Sequence, residues 1–395
     1  LKRLEFDHCT LLTEIPIQND MSELWSLLNF IDPKNFHSKD DFMEKYGVVT
    51  DISQVSDVRS IIKPYLLRRR KGDVEKEILP KDETIIEVEL TRTQKQFYKA
   101  FLNDNASELL QRITSSRSHH SLLNLMMQLR KVCNHPFLIV DAEKSIVDEM
   151  RKKNKELSRR ELHSMARISS SGKMILIDKL LPKLKSDDHK VLIFSQMVKI
   201  LDILEAYLIE KNYLYERLDG SVSETQRQQS IERFNTDRNR FVFLLSTKAG
   251  GIGINLTSAD TVIIFDSDWN PQNDIQAEAR CHRIGQTSTV KVYRLLTRNT
   301  YENEMFVRAS KKLALDHLVL DGASLNDQPM KAEEIEKILR HGAYSIFADS
   351  NDNEDEENAE IDQFVAADID QILESRSRPV KQDIVAGGGS VFSSV

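Results

Sequence analysis

The sequence predicts an α/β fold, a doubly wound parallel sheet with helical insertions and a partly disordered acidic tail. The first observation is that short apolar runs alternate with amphipathic helical patterns between residues 171 and 315, which is typical of parallel strands joined by helices. The second is a glycine-rich stretch directly after one of these runs, where such sheets place their binding sites. The apolar runs are residues 191–194, 241–245, 261–265 and 290–296.

The regions on either side of this sheet are predicted to be mainly helical. In residues 1–75, which also favour a strand and a tight turn, Asp20 and Glu23 open a helix that Pro33 stops. Residues 76–170 carry an apolar stripe at helical spacing, from Leu122 to Val132. The tail, residues 316–395, contains two helical patterns, 333–339 and 369–373, and an acidic run, 349–362, that we expect to be disordered.

Composition excludes several classes of protein. The net charge of −7 comes from the eight acids of residues 349–362, and without them the charge is about +1, so net charge does not decide for or against nucleic acid. No apolar run is long enough for a membrane span. Cys9, Cys133 and Cys281 lie far apart, which argues against disulfides and a cysteine-rich zinc site and fits the cytosol or nucleus. The first residue is Leu1, so we expect a fragment of a longer gene product.

An arginine pair carries the clearest chemistry. Arg280 and Arg283 are three residues apart, so we expect both guanidinium groups on one face of a helix, where they could clamp a phosphate. An isolated pair of this kind is more often a surface helix with ordinary salt bridges. Here, however, two further motifs precede it, Phe-Asp-Ser-Asp-Trp-Asn-Pro at 265–271 and a stretch with three glycines at 246–256. Such glycines let backbone amides approach a phosphate or ribose.

These three motifs, in this order, resemble the second lobe of Swi/Snf-type superfamily-two ATPases. Further similarity lies in residues 67–74, 131–136, 191–197 and 217–221, so the resemblance covers roughly residues 10–315. Less specific segments resemble the chromodomain-helicase-DNA-binding (CHD) branch, at residues 83–90, 334–344 and 368–373.

The resemblance implies a domain order. Residues 1–75 would end a first motor lobe with a helical insertion, and residues 76–170 would form a helical lobe linker or protrusion. Residues 171–315 would be the complete second RecA-like lobe, the helicase C-terminal domain, and residues 316–395 a post-motor tail with the acidic segment.

The resemblance also implies roles for individual residues. Arg280 and Arg283 would be catalytic, acting on the ATP γ-phosphate, and the inter-lobe nucleotide cleft would be lined by Gly251, Gly253 and Gln276. One DNA strand would be held by Ser195, Gln196, Gly220, Ser221, Thr247, Lys248 and Trp269. Phosphate contacts of this kind predict little base preference and strong salt dependence. For Trp269 a core aromatic, and for Ser195 a helix N-cap, remain the alternatives.

The implied cofactor is ATP with Mg²⁺, in a nuclear, DNA-dependent ATPase that remodels nucleosomes. The sequence has neither a Gly-x-x-x-x-Gly-Lys-Ser/Thr loop nor an Asp-Glu-x-His box, so the first lobe would mainly hold ATP and Mg²⁺ and the chain alone would be inactive. The implied partners are double-stranded DNA, nucleosomes, histones and other remodeller subunits. No resident metal is expected, because Cys133 and His135 are only two candidate ligands.

Two features leave alternatives open. In residues 12–19, Glu14 and Ile15 stand where the family has glycine and threonine, so the chain could instead be a non-catalytic DNA- or histone-binding scaffold whose acidic run, 349–362, meets basic tails. A related translocase in DNA repair or recombination is a third possibility. The basic stretch Arg151–Arg160 is either a solvated helix or a nuclear-import signal.

Overall fold

The computed structural model describes residues 8–13, 21–46, 57, 60–67, 79–111, 119–250, 253–309, 354–385 and 389–393. The chain forms two compact units, one of residues 1–76, 309–331 and 381–395, the other of residues 77–308 and 332–380. In the described part of the chain, no helix is both long and apolar enough to cross a bilayer.

The larger unit contains a seven-stranded sheet in the order β3-β4-β2-β5-β6-β1-β7. All neighbours pair in parallel except β7, which is antiparallel to β1. This confirms the predicted doubly wound sheet. Its strands are β1 (Lys81–Val88), β2 (Val191–Ser195), β3 (Tyr215–Leu218), β4 (Val242–Ser246), β5 (Thr261–Ile264), β6 (Val290–Thr297) and β7 (Ser377–Pro379).

Helices cover both faces of the sheet. Their bounds are α3 (Arg92–Gln111), α4 (His119–Asn134), a 3-10 turn (Pro136–Leu138), α5 (Ala142–Lys153), α6 (Arg159–Ser169), α7 (Gly172–Ser186), α8 (Val198–Glu210), α9 (Glu224–Thr236), α10 (Thr247–Gly250), α11 (Pro271–Glu278), α12 (Glu354–Ala366) and α13 (Ile369–Ser375). Alternate residues of each strand enter two separate cores: Val191 and Ile193 pack with α7 and α8, and Leu192 and Phe194 with α9 and α11.

The smaller unit contains two described helices, α1 (Met21–Ile31) and α2 (Lys39–Tyr46). The predicted helix that begins near Asp20 and stops at Pro33 is therefore present. Its buried residues, Leu24 and Leu28 among them, pack with Phe36 and Phe42. A hairpin of β8 (Lys381–Val385) and β9 (Gly389–Ser393) belongs to the same unit.

The sheet extends beyond the predicted 171–315 range. The sequence placed residues 76–170 in a helical linker, but β1 lies in this range and pairs in parallel with β6 along its whole length. The sequence did not predict this strand because its charged residues are typical of a protein surface. Glu83, however, is only 4% exposed and is neutralised inside the lobe by Arg294 and Lys81. The predicted boundaries of the domains stay a prediction.

The expected disorder of the acidic run is wrong for its second half, which is helical from Glu354 in α12. Ile361 and Phe364 of this helix are buried in the lobe. Its acids also find cations, since Asp362 pairs with Arg92 at 2.6 Å. The predicted helix at 369–373 is present as α13, whereas the helix predicted at 333–339 lies outside the described residues.

Candidate functional site

Four neighbouring strands end at one edge of the sheet, and every residue predicted to hold DNA lies at the end of one of these strands or in the loop that follows it. Along this edge the order is β3, β4, β2 and β5. Adjacent strands are about 4.8 Å apart, so the four loops span about 15 Å. The residues brought together are Gly220 and Ser221 after β3, Thr247 and Lys248 after β4, Ser195 and Gln196 at the end of β2, and Trp269 after β5.

These residues differ in exposure. Gly220, Ser221 and Lys248 are exposed, while Gln196 and Trp269 are half-buried. Ser195 and Thr247 are buried, with 0% and 2% of their surface exposed. The edge therefore presents a lysine, an exposed hydroxyl and a glycine backbone toward solvent, with an aromatic ring beside them.

The loop after β3 is held by a carboxylate. Asp219 accepts hydrogen bonds from the Ser221 backbone N–H at 2.9 Å and from its hydroxyl at 2.5 Å. These bonds, together with Arg217, lower the pKa of Asp219. The loop is thereby fixed in place while Gly220 stays open, since a methyl group added there would meet no atom within 4 Å.

Asp266 organises the centre of the edge. Its carboxylate accepts from the Ser195 hydroxyl at 2.5 Å and the Gln196 N–H at 3.2 Å, and it pairs with Arg130 at 3.2 Å. Burial raises the pKa of Asp266, against the lowering effect of Arg130 and Ser195. The Ser195 hydroxyl is thus engaged inside the lobe, and the N-cap of α8 is Met197 rather than Ser195.

A buried lysine connects this edge to the segment Lys131–Pro136. Lys173, fully buried at the start of α7, donates to Asn134 Oδ1 at 2.9 Å, to the Phe265 carbonyl at 2.8 Å and to Glu302 at 2.7 Å. The backbone immediately before Asp266 is therefore fixed by α4 and α7 together.

A second buried cation supports the helix that leads to the arginine pair. Arg294 on β6 pairs with Asp274 at 2.5 Å and Glu278 at 2.9 Å, both on α11, and with Glu83 on β1 at 3.0 Å. Burial alone would raise the pKa of Glu83, but Arg294 and Lys81 together lower it. This network fixes α11 against the sheet.

The predicted placement of Arg280 and Arg283 on one helix face is wrong, because α11 ends at Glu278. After Glu278 the backbone tightens into 3-10-type turns, in which Arg280 N–H donates to the Ala277 carbonyl at 3.2 Å and Cys281 N–H to the Glu278 carbonyl at 3.1 Å. Leu256 N–H donates to the Arg280 carbonyl at 3.1 Å, and Gln286 Nε2 donates to the Cys281 carbonyl at 3.2 Å. The arginines instead occupy turns that are tied to the end of the glycine-rich stretch.

The two arginines have different surroundings. Arg280 is 2% exposed, whereas Arg283 is half-buried and has no ion pair within the described part of the chain. Gln276 is half-buried on α11, and Gly253 has a φ of +55°, in the region that favours glycine. Gly251 lies outside the described residues, as do Glu14 and Ile15.

Sequence reasoning missed Arg130, Lys173 and Arg294 as supporting residues. Arg130 directly precedes the recognised segment Lys131–Pro136, which is a local signal; the other two are revealed only by tertiary contacts.

His135 has a structural role: its Nδ1 accepts from the Phe137 N–H at 3.0 Å, so its Nε2–H donates to the Arg167 carbonyl at 2.8 Å. Burial lowers its pKa to about 4, and the described residues contain no cluster suited to a metal ion.

Known proteins resemble this chain along its whole length. A family model described as the SNF2-related domain matches residues 1–138, and one described as the helicase conserved C-terminal domain matches residues 172–285. Chromodomain-helicase-DNA-binding protein 8 of Danio rerio is 53% identical over 100% of this chain. Protein 9 of Mus musculus is 52% identical and protein 6 of Rattus norvegicus 51%, again over 100% of the chain. The chain belongs to the CHD branch of the SNF2 family.

The CHD relatives are much longer than this chain, which spans 16% of protein 8 from Danio rerio and 14% of the other two. A crystal structure of the C-terminal part of the Fun30 ATPase domain has the same fold. It is 28% identical with a TM-score of 0.51, over 69% of this chain and 99% of that one. The RecA-like helicase-lobe architecture expected from the sequence is therefore confirmed.

Proposed function

We propose that this chain supplies the second lobe of an ATP-driven motor that moves duplex DNA and thereby remodels nucleosomes in the nucleus. The observation that carries the proposal is the gathering of seven predicted DNA contacts at one edge of the sheet. The partners would be double-stranded DNA, histones and other remodeller subunits.

The dimensions of this edge support binding to one DNA strand. Phosphates of one strand follow one another every 3.4 Å or so along the duplex axis, so an edge of about 15 Å faces roughly four of them. Lys248 would supply charge and Gly220 a backbone donor, and Ser221 would turn its hydroxyl from Asp219 to a phosphate. None of these groups reads a base edge, so we expect sequence-independent binding.

The second ligand of the motor would be ATP with Mg²⁺, and a first lobe would hold most of it. ATP supplies the phosphoanhydride whose hydrolysis drives movement. On this chain, Arg283 fits an anion because it is half-buried without a carboxylate partner in the described residues. Arg283 and Arg280 would bind the γ-phosphate, while Gly251, Gly253 and Gln276 would line the cleft. An arginine in this role contributes on the order of a thousandfold or more in rate.

Coupling between the two ligands follows from the backbone connections. The glycine-rich stretch begins at the DNA edge with Thr247 and Lys248 and returns through Leu256 to the Arg280 carbonyl. A displacement of the arginine turn would therefore be transmitted to a DNA-contacting loop within the same lobe.

The test compares ATP hydrolysis by the chain alone with hydrolysis by the chain joined to its upstream coding sequence, each with and without duplex DNA. We expect hydrolysis only from the joined protein, stimulated by DNA. A joined, folded protein that binds DNA but hydrolyses no ATP would contradict the motor and favour the non-catalytic scaffold.

A further inference from the structure

A basic turn joins α5 to α6 on the surface of the lobe. Residues 151–160 contain six cations and one acid, Glu156. The cations, all exposed, are Arg151, Lys152, Lys153, Lys155, Arg159 and Arg160. None belongs to the predicted DNA edge of the sheet.

The turn is rigid. Asn154 caps α5 by donating from Nδ2 to the Met150 carbonyl at 3.2 Å. Ser158 and Glu161 form a capping box at the start of α6, with bonds of 3.3 and 2.8 Å. The two helices share a small core that contains Ile146 and Leu162. The cations are therefore carried by a turn between two packed helices instead of an extended peptide.

The charges have few internal partners. Lys153 pairs with Glu149 at 2.8 Å, but the other five cations have no ion pair among the residues that the structure describes. Arg151, Lys152 and Lys153 lie in the last turn of α5, where the negative end of the helix dipole stabilises cations. Arg159 and Arg160 are the first two residues of α6, so they lie at the positive end of that helix's dipole, which repels cations.

This placement of Arg159 and Arg160 costs stability and has no compensating contact within the described chain. Departures from local electrostatic rules of this kind concentrate at functional sites. An anion beside the turn would relieve the repulsion. The only apolar side chain between the cations is Leu157, 37% exposed, so the patch lacks the apolar and aromatic centre of a protein interface.

We propose that this basic turn binds the phosphate backbone of duplex DNA, as a second contact separate from the edge of the sheet. The proposal rests on the proposed DNA-binding function and adds to it a site that steadies the lobe on the duplex. Because the contacts are ionic, the turn would contribute affinity and salt dependence without sequence preference.

The test uses the full chain with two matched double variants and a short duplex. Lys152→Gln/Arg159→Gln removes two charges from the turn, and Lys144→Gln/Arg238→Gln removes two exposed charges elsewhere. Binding is measured between about 50 and 200 mM KCl. Each phosphate contact contributes about 0.9 to the slope of log affinity against log salt, so the first variant should lower the slope by about 2 and the control should not.

Stability provides a second readout. Replacing Arg159 removes a cation from the positive end of α6, so the single variant Arg159→Gln should keep or slightly raise the melting temperature while weakening DNA binding. A merely structural role would lower both.

The outcomes separate this proposal from the proposed function. A wild-type chain that fails to bind duplex at low salt would overturn both. Wild-type binding with equal slopes in the two double variants would overturn the basic turn alone. Equal slopes together with cytoplasmic retention of the Lys152→Gln/Arg159→Gln protein would show that the turn serves nuclear import instead.

Discussion

Replacing Lys173 by methionine tests whether its buried network holds the lobe together. The change keeps side-chain length but leaves the Glu302 carboxylate, 1% exposed, without its cation, and the Asn134 and Phe265 oxygens without a donor. Removing one partner of a buried pair costs about 3–5 kcal/mol. We expect a loss of about 4 kcal/mol, a large share of the 5–15 kcal/mol that stabilises most domains.

The assay is urea unfolding followed by tryptophan fluorescence. The chain has two tryptophans, so a Trp25→Phe background leaves Trp269 as the single reporter, four residues after Phe265, whose carbonyl accepts from Lys173. Adding Glu302→Gln to Lys173→Met should restore about 2 kcal/mol, because the unpaired buried charge is gone. A single-variant loss below about 1 kcal/mol, or a double variant that is no better, would refute the reasoning.

Three further predictions follow from the same contacts. Gly172→Ala should cost about 3 kcal/mol or more, since its Cβ would lie 2.0 Å from the Glu89 carbonyl oxygen, whereas Gly220→Ala, with open space around it, should unfold like the wild type. His135 is neutral when folded, with a pKa of about 4 against 6.5 unfolded, so folding stability should fall as pH drops through this window. By pH 4.5 this loss is about 2.5 kcal/mol, and the acid dependence of His135→Gln in urea unfolding should be flatter by that amount. Lys248→Gln should lower the salt slope of duplex binding by about 1 with no change in melting temperature; an unchanged slope would remove Lys248 from the DNA edge.

Three of the strands that the sequence predicts, β2, β4 and β5, contain no charged residue. β2 and β4 are uninterrupted apolar runs, buried on both faces. β3 and β1 were missed because each contains a buried glutamate that reads as a surface residue. Glu216 in β3 is neutralised by Arg233 at 2.7 Å and Arg240 at 3.0 Å, partners that only the folded lobe brings together.

The sequence predicted the loop residues of the candidate site but not the buried ion pairs and hydrogen bonds that hold those loops. Motif order identified the residues that follow β3, β4, β2 and β5, and parallel pairing brings them to one edge. Sequence spacing could not show that α11 stops at Glu278, because the turns that follow are held by a distant part of the chain, with Leu256 N–H donating to the Arg280 carbonyl. Nor could it pair Asp266 with Arg130, which is 136 residues away.

The most direct test of the central claim replaces Arg283 with glutamine in the chain joined to its first lobe. DNA-stimulated ATP hydrolysis and DNA affinity are measured side by side, with Arg238→Gln as an exposed-arginine control. We predict that Arg283→Gln lowers the hydrolysis rate on the order of a thousandfold while DNA affinity and melting temperature stay within error of the control. Hydrolysis within about threefold of the control would contradict the role of this lobe in ATP turnover.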